Sequence, residues 1–544
     1  MSKENLPLDD PQTGIHRAKL WEIGFYALNN TSTNIYLVLM GSITYFLTGI
    51  VGVAVVLASS MVTIMRIWDG VTDPFIGMLV DNTNTKFGKN RPFIVIGNVI
   101  LFVTSFAMFR FIPKLSMGMR FPAYIIIYLI YIIGYTFQCV VTKSAQTCMT
   151  NDPKQRPIFT MFDATYNTVV MSIVWPVFLA STLLPKFTLV DAIPEQAAKI
   201  QTLLAQTPTL EKALTVKDGV TTLSGFYNPE MWCYMQLVLG GISAVFAVLA
   251  IIGISRKDNV KYFGLGTAEK IGIKDYIDVL AHNRGIQMLI VAASSDKLCM
   301  STMSHASVLV CLYGIIFGNY ALSASVSAIT GVPVVLFSVL GIGYIARKMG
   351  QKKCLLVGTY GSIASMVGLA LIIAFGHGTN VAMPTFSLTK LSTWGGLVMP
   401  SNWSFLGLLF CLLFIAVKGF SGMSGNIVIP MTADCADYEV YRSKRYVPGL
   451  MGTLFSFVDK VISSLASTIA GLAFAAIGFK EVLPTPETPY STNIMVVTVL
   501  LFAGMPMIGW LLNLVAMKFY PLSKEFMEKI QGEIAAIKDA AAKK

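Results

Sequence analysis

The sequence predicts an all-α membrane protein of twelve transmembrane helices arranged as two six-helix bundles. Three observations carry that expectation. Of 544 residues, 54% are apolar and 13% charged, far from the averages of soluble domains. Apolar runs of about 20 residues recur along the chain, each long enough to cross a roughly 30 Å hydrocarbon core as a helix that satisfies its own backbone hydrogen bonds. Every second loop between these runs is basic, as at Lys86, Lys89 and Arg91, at Arg256, Lys257 and Lys261, and at Arg347 and Lys348. The positive-inside rule then places those loops and both termini in the cytoplasm and requires an even number of spans.

Taken in order, hydropathy places spans one to six near 21–47, 54–80, 93–112, 121–149, 158–185 and 231–254, a first bundle over residues 1–254. Spans seven to twelve follow near 287–317, 320–346, 354–376, 403–430, 450–478 and 492–518, a second bundle over 287–518. The polar segment 255–286 reads as a cytoplasmic linker between them, and 519–544 as a cytoplasmic tail helix with Phe526, Ile530 and Ile534 on one face. A long outward loop, 186–230, contains PEQAAKIQTLLAQ, which can form an amphipathic helix with Ile200, Leu203 and Leu204 together. It reads either as a cap or as a tolerated surface insertion. An internal echo supports the division into halves: GMLVDNTNTKFGK from Gly77 follows span two, and GYIARKMGQKK from Gly343 follows span eight. The first 19 residues are polar and lack the apolar core of a cleavable signal, so targeting falls to span one.

Several function classes are disfavoured. The net charge of +12 is scattered through short loops rather than gathered in a stripe, so no nucleic-acid partner is expected; the basic residues instead set topology in the lipid bilayer. The eight cysteines sit mostly inside apolar runs without metal-ligand or disulfide spacing. Four histidines, no nucleotide loop and no soluble catalytic segment argue against an enzyme, and no cofactor is expected. A channel would need a filter-like glycine repeat, which is missing.

What remains unusual is charge at bilayer depth, where each ionisable group costs roughly 2.5 to 3.5 kcal/mol on the lenient insertion scale. In span two the run MRIWDGVTDPFIG stacks Arg66, Asp69 and Asp73 on one helix face at spacings of three and four. Two carboxylates and a guanidinium sharing a strip can bind a proton or a small hard cation. Thr72 adds an oxygen, and Thr136 in span four lies at comparable depth. The bland alternative is an Arg66–Asp69 pair that only orients helices, which leaves Asp73 unexplained. Pro74 frees a carbonyl in the preceding turn. Other charges in apolar runs are Lys143, Asp163, Asp296, Lys297, Lys418, Asp459 and Lys460. Neutral pairing can absorb most of them; Lys460 is the one expected to face solute. Trp68, Tyr135, Phe137 and Tyr166 could supply stacking faces for a ring.

At span two the sequence resembles the glycoside-pentoside-hexuronide cation symporters of the major facilitator superfamily. The matching string runs from Arg66 through Asp69, Asp73, Pro74 and Gly77 to Asp81, Gly88, Lys89, Arg91 and Pro92. Met149 to Arg156 (MTNDPKQR), Ile273 to Arg284 (IKDYIDVLAHNR) and the ADCADYEVY segment with Asp434, Asp437, Tyr438 and Glu439 also match, as does Lys460, and the resemblance spans nearly the whole chain except the long outward loop. The resemblance implies the major facilitator fold and alternating access. It further implies a coupling cation, Na⁺ or H⁺, at Asp69 and Asp73 with Thr72 and Thr136 nearby, and Lys460 between cation and solute. Asp81, Lys89, Arg91 and Arg445 would form a cytoplasmic gate. The sugar site departs from the family pattern: Thr33, Cys139, Lys143 and Asp163 stand where acidic, aromatic and guanidinium groups are usual. Lys143 would then pair with Asp163 or meet an acidic solute. With Arg66 and Trp68, these are the candidate substrate residues. The expected function is cation-coupled import of a sugar, glycoside or uronide across the cytoplasmic membrane by a single functional chain. The alternatives are a lysolipid or other amphiphile as cargo, and uncoupled sugar facilitation or exchange.

Overall fold

The computed structural model describes residues 16–83, 85–150, 155–170, 175–217, 219–259, 278, 280–375, 405–443, 448–527, 529–530 and 533. Eight of its helices are long and apolar enough to cross a membrane, and two further pairs meet the same test together across a bend. Those pairs are span one, Leu20–Gly41 with Ile43–Val51 bent by 42°, and span seven, Arg284–Met303 with Ala306–Ile316 bent by 48°. The helical pieces from Arg156–Asn167 to Leu184–Phe187 stand where span five was expected, and Pro448–Ala476 where span eleven was. The remaining spans are Val55–Asn82, Arg91–Phe111, Met117–Met149, Pro229–Ile254, Ala321–Met349, Gln351–Phe375, Phe405–Ser443 and the run Thr492–Val499 to Met505–Phe519. This all-α membrane architecture is consistent with twelve spans.

The chain divides into two compact units, residues 1–267 with 480–483, and 268–479 with 484–544. Within each unit the helices choose the same neighbours. Span one lies along six and touches five, while four receives both two and three; in the second unit seven lies along twelve and eleven, while ten receives eight and nine. Close backbone approach is built in the same way twice. A Cβ on Gly253 of span six would stand 2.8 Å from Glu22 O, and one on Gly509 of span twelve 2.8 Å from Ser295 O, the small-residue contact on which helix pairs in lipid depend. Both bent spans also end in a wide π-type turn, Leu47–Val51 and Val310–Ile316.

Buried polar groups are tied across helices, as a medium without water demands. Asn98 of span three donates to Ser32 Oγ (3.2 Å) in span one and to Ser243 Oγ (3.0 Å) in span six. Tyr26 Oη donates to Val141 O at 2.8 Å, joining spans one and four.

Two segments depart from the hydropathy reading. Span ten runs beyond the expected 430 to Ser443, because hydropathy marks where lipid ends and not where backbone hydrogen bonding ends. The long loop does form the helix Pro194–Gln206, with Ile200 buried. It also forms a small antiparallel sheet in the order β1-β3-β2, from Leu189–Val190 (β1), Thr215–Lys217 (β2) and Val220–Leu223 (β3). Buried Arg120 fastens the loop to the unit, donating to Ile50 O at 2.7 Å, Thr207 Oγ1 at 2.6 Å and Gln206 O at 3.3 Å. Tyr227 Oη donates to Leu483 O at 2.7 Å, and Lys212 pairs with Glu481. The tail does not lie apart from the second unit: Ile530 is buried in its core and the Phe526 ring packs on Tyr438.

Candidate functional site

Span two runs unbroken from Val55 past Asp73, so Asp69 is carried on a continuous helix. Asp69 is 1% exposed. Thr136 Oγ1 of span four donates to its Oδ1 at 3.1 Å. Thr72, one turn on, donates from Oγ1 to Asp69 O at 3.0 Å and lies 3.3 Å from Thr136 Oγ1. Asp73 Oδ1 is also shut away from solvent. Arg66 approaches Asp69 Oδ2 at 3.6 Å, well outside the 2.7 to 2.9 Å of a tight charge-assisted bond, and its guanidinium sits 5.7 Å from the Tyr135 ring centre. Arg66 and Asp69 line a cleft with Leu37, Tyr128, Tyr131 and Tyr135 whose free volume of about 10 Å³ is the size that holds one water-sized species. Asp69, Thr72 and Thr136 are therefore one oxygen cluster, with Arg66 loosely attached.

The substrate candidates of the first unit are less concentrated. Asp163 accepts from Asn30 Nδ2 at 2.7 Å and Asn167 Nδ2 at 2.8 Å, while Asn34 Nδ2 donates to Asn167 Oδ1 at 2.8 Å. Spans one and five are thus laced by an amide–carboxylate ladder. Asn30 and Asn34, four apart in an apolar helix, and Asn167, four after Asp163, were the overlooked signal. Thr33 is buried and returns its hydroxyl to Asn29 O at 2.9 Å. Cys139 is half-buried. Trp68 is 42% exposed, about a quarter-turn from Asp69, and is not part of the oxygen cluster. The side chains of Lys143, Asp81 and Asp459, and all of Arg445, lie outside the described residues.

Two of the proposed gate residues surround a group that sequence reasoning passed over. Asp258, fully buried just after span six, accepts from the backbone N–H groups of Lys89 (3.1 Å), Asn90 (3.1 Å) and Arg91 (2.9 Å), and pairs with Arg91 Nε at 3.4 Å. The carboxylate caps the start of span three. Gly88 makes this possible: its φ is +99°, and a Cβ there would overlap the Asp258 carboxylate. Nearby, Arg256 grips Glu22 with two bonds of 2.7 and 2.8 Å. The matching end of the second unit joins two sequence motifs in the same manner. Asn283 Nδ2 donates to Glu439 Oε2 at 2.9 Å, and Arg442 binds Glu439 at 2.7 Å and Asp278 at 3.4 Å.

In the second unit Asp296 is buried and accepts from Trp510 Nε1 at 2.7 Å. Lys460 is half-buried on span eleven.

The comparisons with known proteins agree with this architecture. The family model described as MFS/sugar transport protein matches residues 22–524. The isoprimeverose transporter of Lactiplantibacillus pentosus is 22% identical over 531 residues, 96% of this chain and 93% of its own. A glucuronide carrier protein homolog of Escherichia coli is 23% identical, covering 94% of each. Among solved structures, the nucleoside transporter NupG superposes with a TM-score of 0.52 at 11% identity, covering 92% of this chain and 100% of its own. The E. coli fucose:proton symporter gives 0.50 at 11% identity, covering 93% of this chain and 98% of its own; both show the fold. A transporter and not an enzyme, this chain belongs to the MFS/sugar transport protein family and, within it, to the glycoside-pentoside-hexuronide symporters.

Proposed function

We propose that the chain imports a sugar, glycoside or uronide by alternating access, coupled to a cation bound at Asp69. The observation that carries this is the oxygen cluster of Asp69, Thr72 and Thr136. Each threonine commits its proton to Asp69, to the carboxylate or to the carbonyl, and keeps lone pairs that a cation can use. A proton needs one carboxylate with suitable affinity, whereas Na⁺ needs several oxygens; the two hydroxyls favour Na⁺. Asp73 is the second carboxylate available to the ion. Relatives named as an isoprimeverose transporter and a glucuronide carrier support sugars and uronides as the cargo. The membrane is the cytoplasmic one, with both termini inside, and one chain is the functional unit.

The test is uptake into proteoliposomes of a panel of neutral and acidic glycosides under an imposed Na⁺ or H⁺ gradient. Accumulation above equilibrium driven by one gradient is expected. Uptake indifferent to both gradients would overturn the coupling.

A further inference from the structure

Span seven does not merely bend; it opens at Ser304 and His305, between Met303 and Ala306. Lys418 of span ten reaches into that opening, its Nζ donating to Ser304 Oγ at 3.1 Å and lying 5.8 Å from the Phe414 ring centre. Among the described residues no carboxylate joins these two contacts. Lys418 is thirteen residues into its helix, about 20 Å from the first turn, so its charge is held at bilayer depth by a hydroxyl and a ring. Such a position costs roughly 2.5 to 3.5 kcal/mol unless something answers it. Glu439 and Asp278, the carboxylates paired above, are already bound to Arg442 far along the same helix, and Asp296 is taken by Trp510.

The groups around the opening are suited to a hydroxylated ring. His305 Nδ1 is 2.8 Å from Ser307 Oγ, and its Nε2 is 3.4 Å from Ser467 Oγ of span eleven. Hydroxyl and imidazole both donate and accept, as sugar hydroxyls do. Ser304 is exposed, and Lys418, His305 and Ser467 are half-buried. Ser467 is two turns from Lys460 on one face of span eleven, which puts the residue expected to face solute in line with the opening.

The geometry points to an anion subsite in the second unit, formed by Lys418 and Ser304 with His305 and Ser467 beside them, that receives the carboxylate of a uronide. The inference rests on the sugar-symport reading and narrows its cargo to acidic sugars. The unanswered charge of Lys418 then becomes the specificity element: a carboxylate restores the missing partner, and a neutral glycoside leaves it unmet.

The experiment compares a matched pair, methyl β-glucuronide and methyl β-glucoside, in proteoliposomes of the full chain carrying wild type, Lys418→Gln or Lys418→Arg. Wild type is expected to prefer the glucuronide. Lys418→Gln should raise KM for the glucuronide about 10- to 100-fold, the consequence of removing a charged partner from a desolvated carboxylate, and move KM for the glucoside by no more than about twofold. Lys418→Arg should keep the glucuronide preference. Equal losses for both solutes would show that Lys418 only props open span seven, and an unchanged glucuronide KM would show that it meets no solute; either overturns the subsite. A wild type that concentrates the glucoside in preference overturns the subsite and leaves sugar symport standing. A wild type that concentrates neither under either gradient overturns both.

Discussion

Span two and span eight hold the same place in their respective units, each packed on the fourth helix of its six. With Gly77 aligned to Gly343, Arg66, Asp69 and Asp73 of span two fall opposite Val332, Val335 and Val339 of span eight, and Thr72 falls opposite Ser338. The fold builds this helix once with three charges and once with three valines. Val332 and Val339 are 49% and 57% exposed and Val335 is half-buried, whereas Asp69 is enclosed. Packing therefore has no need of the charges. A position that costs several kcal/mol in one unit and nothing in the other is retained for what it binds.

That difference can be broken or sharpened by substitution. The largest effect is expected from Asp69→Asn, which keeps shape and removes charge: gradient-driven accumulation should fall to the level of empty liposomes, at least about 100-fold, while the protein purifies and melts normally. Next, Val335→Asp should install the charge without its oxygen neighbours, lowering stability by about 2.5 to 3.5 kcal/mol and adding no ion coupling. A thermal melt unmoved by this change would remove the reason for treating buried carboxylates as functional. The turns that follow the two spans give a third contrast. Gly88→Ala must place an L-residue at φ +99° and drive Cβ into Asp258, and should cost about 2 to 3 kcal/mol. Gly350→Ala, at φ +87° with its new Cβ 2.9 Å from Lys524 Cβ, bears a comparable backbone strain without the overlap on a carboxylate and should cost less; equal melting temperatures would mean that Asp258 does not hold the Gly88–Arg91 turn. The smallest effect is expected for Thr136→Val, which deletes one hydrogen bond to Asp69 and should weaken the coupling ion about fivefold to tenfold in an uptake titration.

Much of this was legible in the sequence. Hydropathy placed the spans because lipid imposes a length on them, and the spacing of Arg66, Asp69 and Asp73 placed three charges on one strip. Thr136, singled out by its depth and by the family resemblance, donates to Asp69. The partners of the loop charges were not legible. Asp258 lies 167 residues from Arg91 in a polar segment with no periodicity, and nothing local marks it as a cap for span three. Arg120 stands between spans three and four with no motif to mark it, yet it is buried and fixes the long loop. The Asn30–Asp163–Asn167–Asn34 ladder was missed because amides in apolar helices attract less notice than charges, although lipid makes both expensive. Hydropathy also passes smoothly over Ser304 and His305, where the backbone opens: two polar residues barely lower a window average while they end a helix.

The most direct measurement is the steady-state accumulation ratio of a transported sugar or uronide in proteoliposomes of wild type and Asp69→Asn, under an inward Na⁺ gradient and separately an inward H⁺ gradient. Wild type is expected to exceed a ratio of one under one of the gradients, and Asp69→Asn to stop at one under both. Concentrative uptake by Asp69→Asn equal to wild type would contradict the assignment of ion coupling to span two.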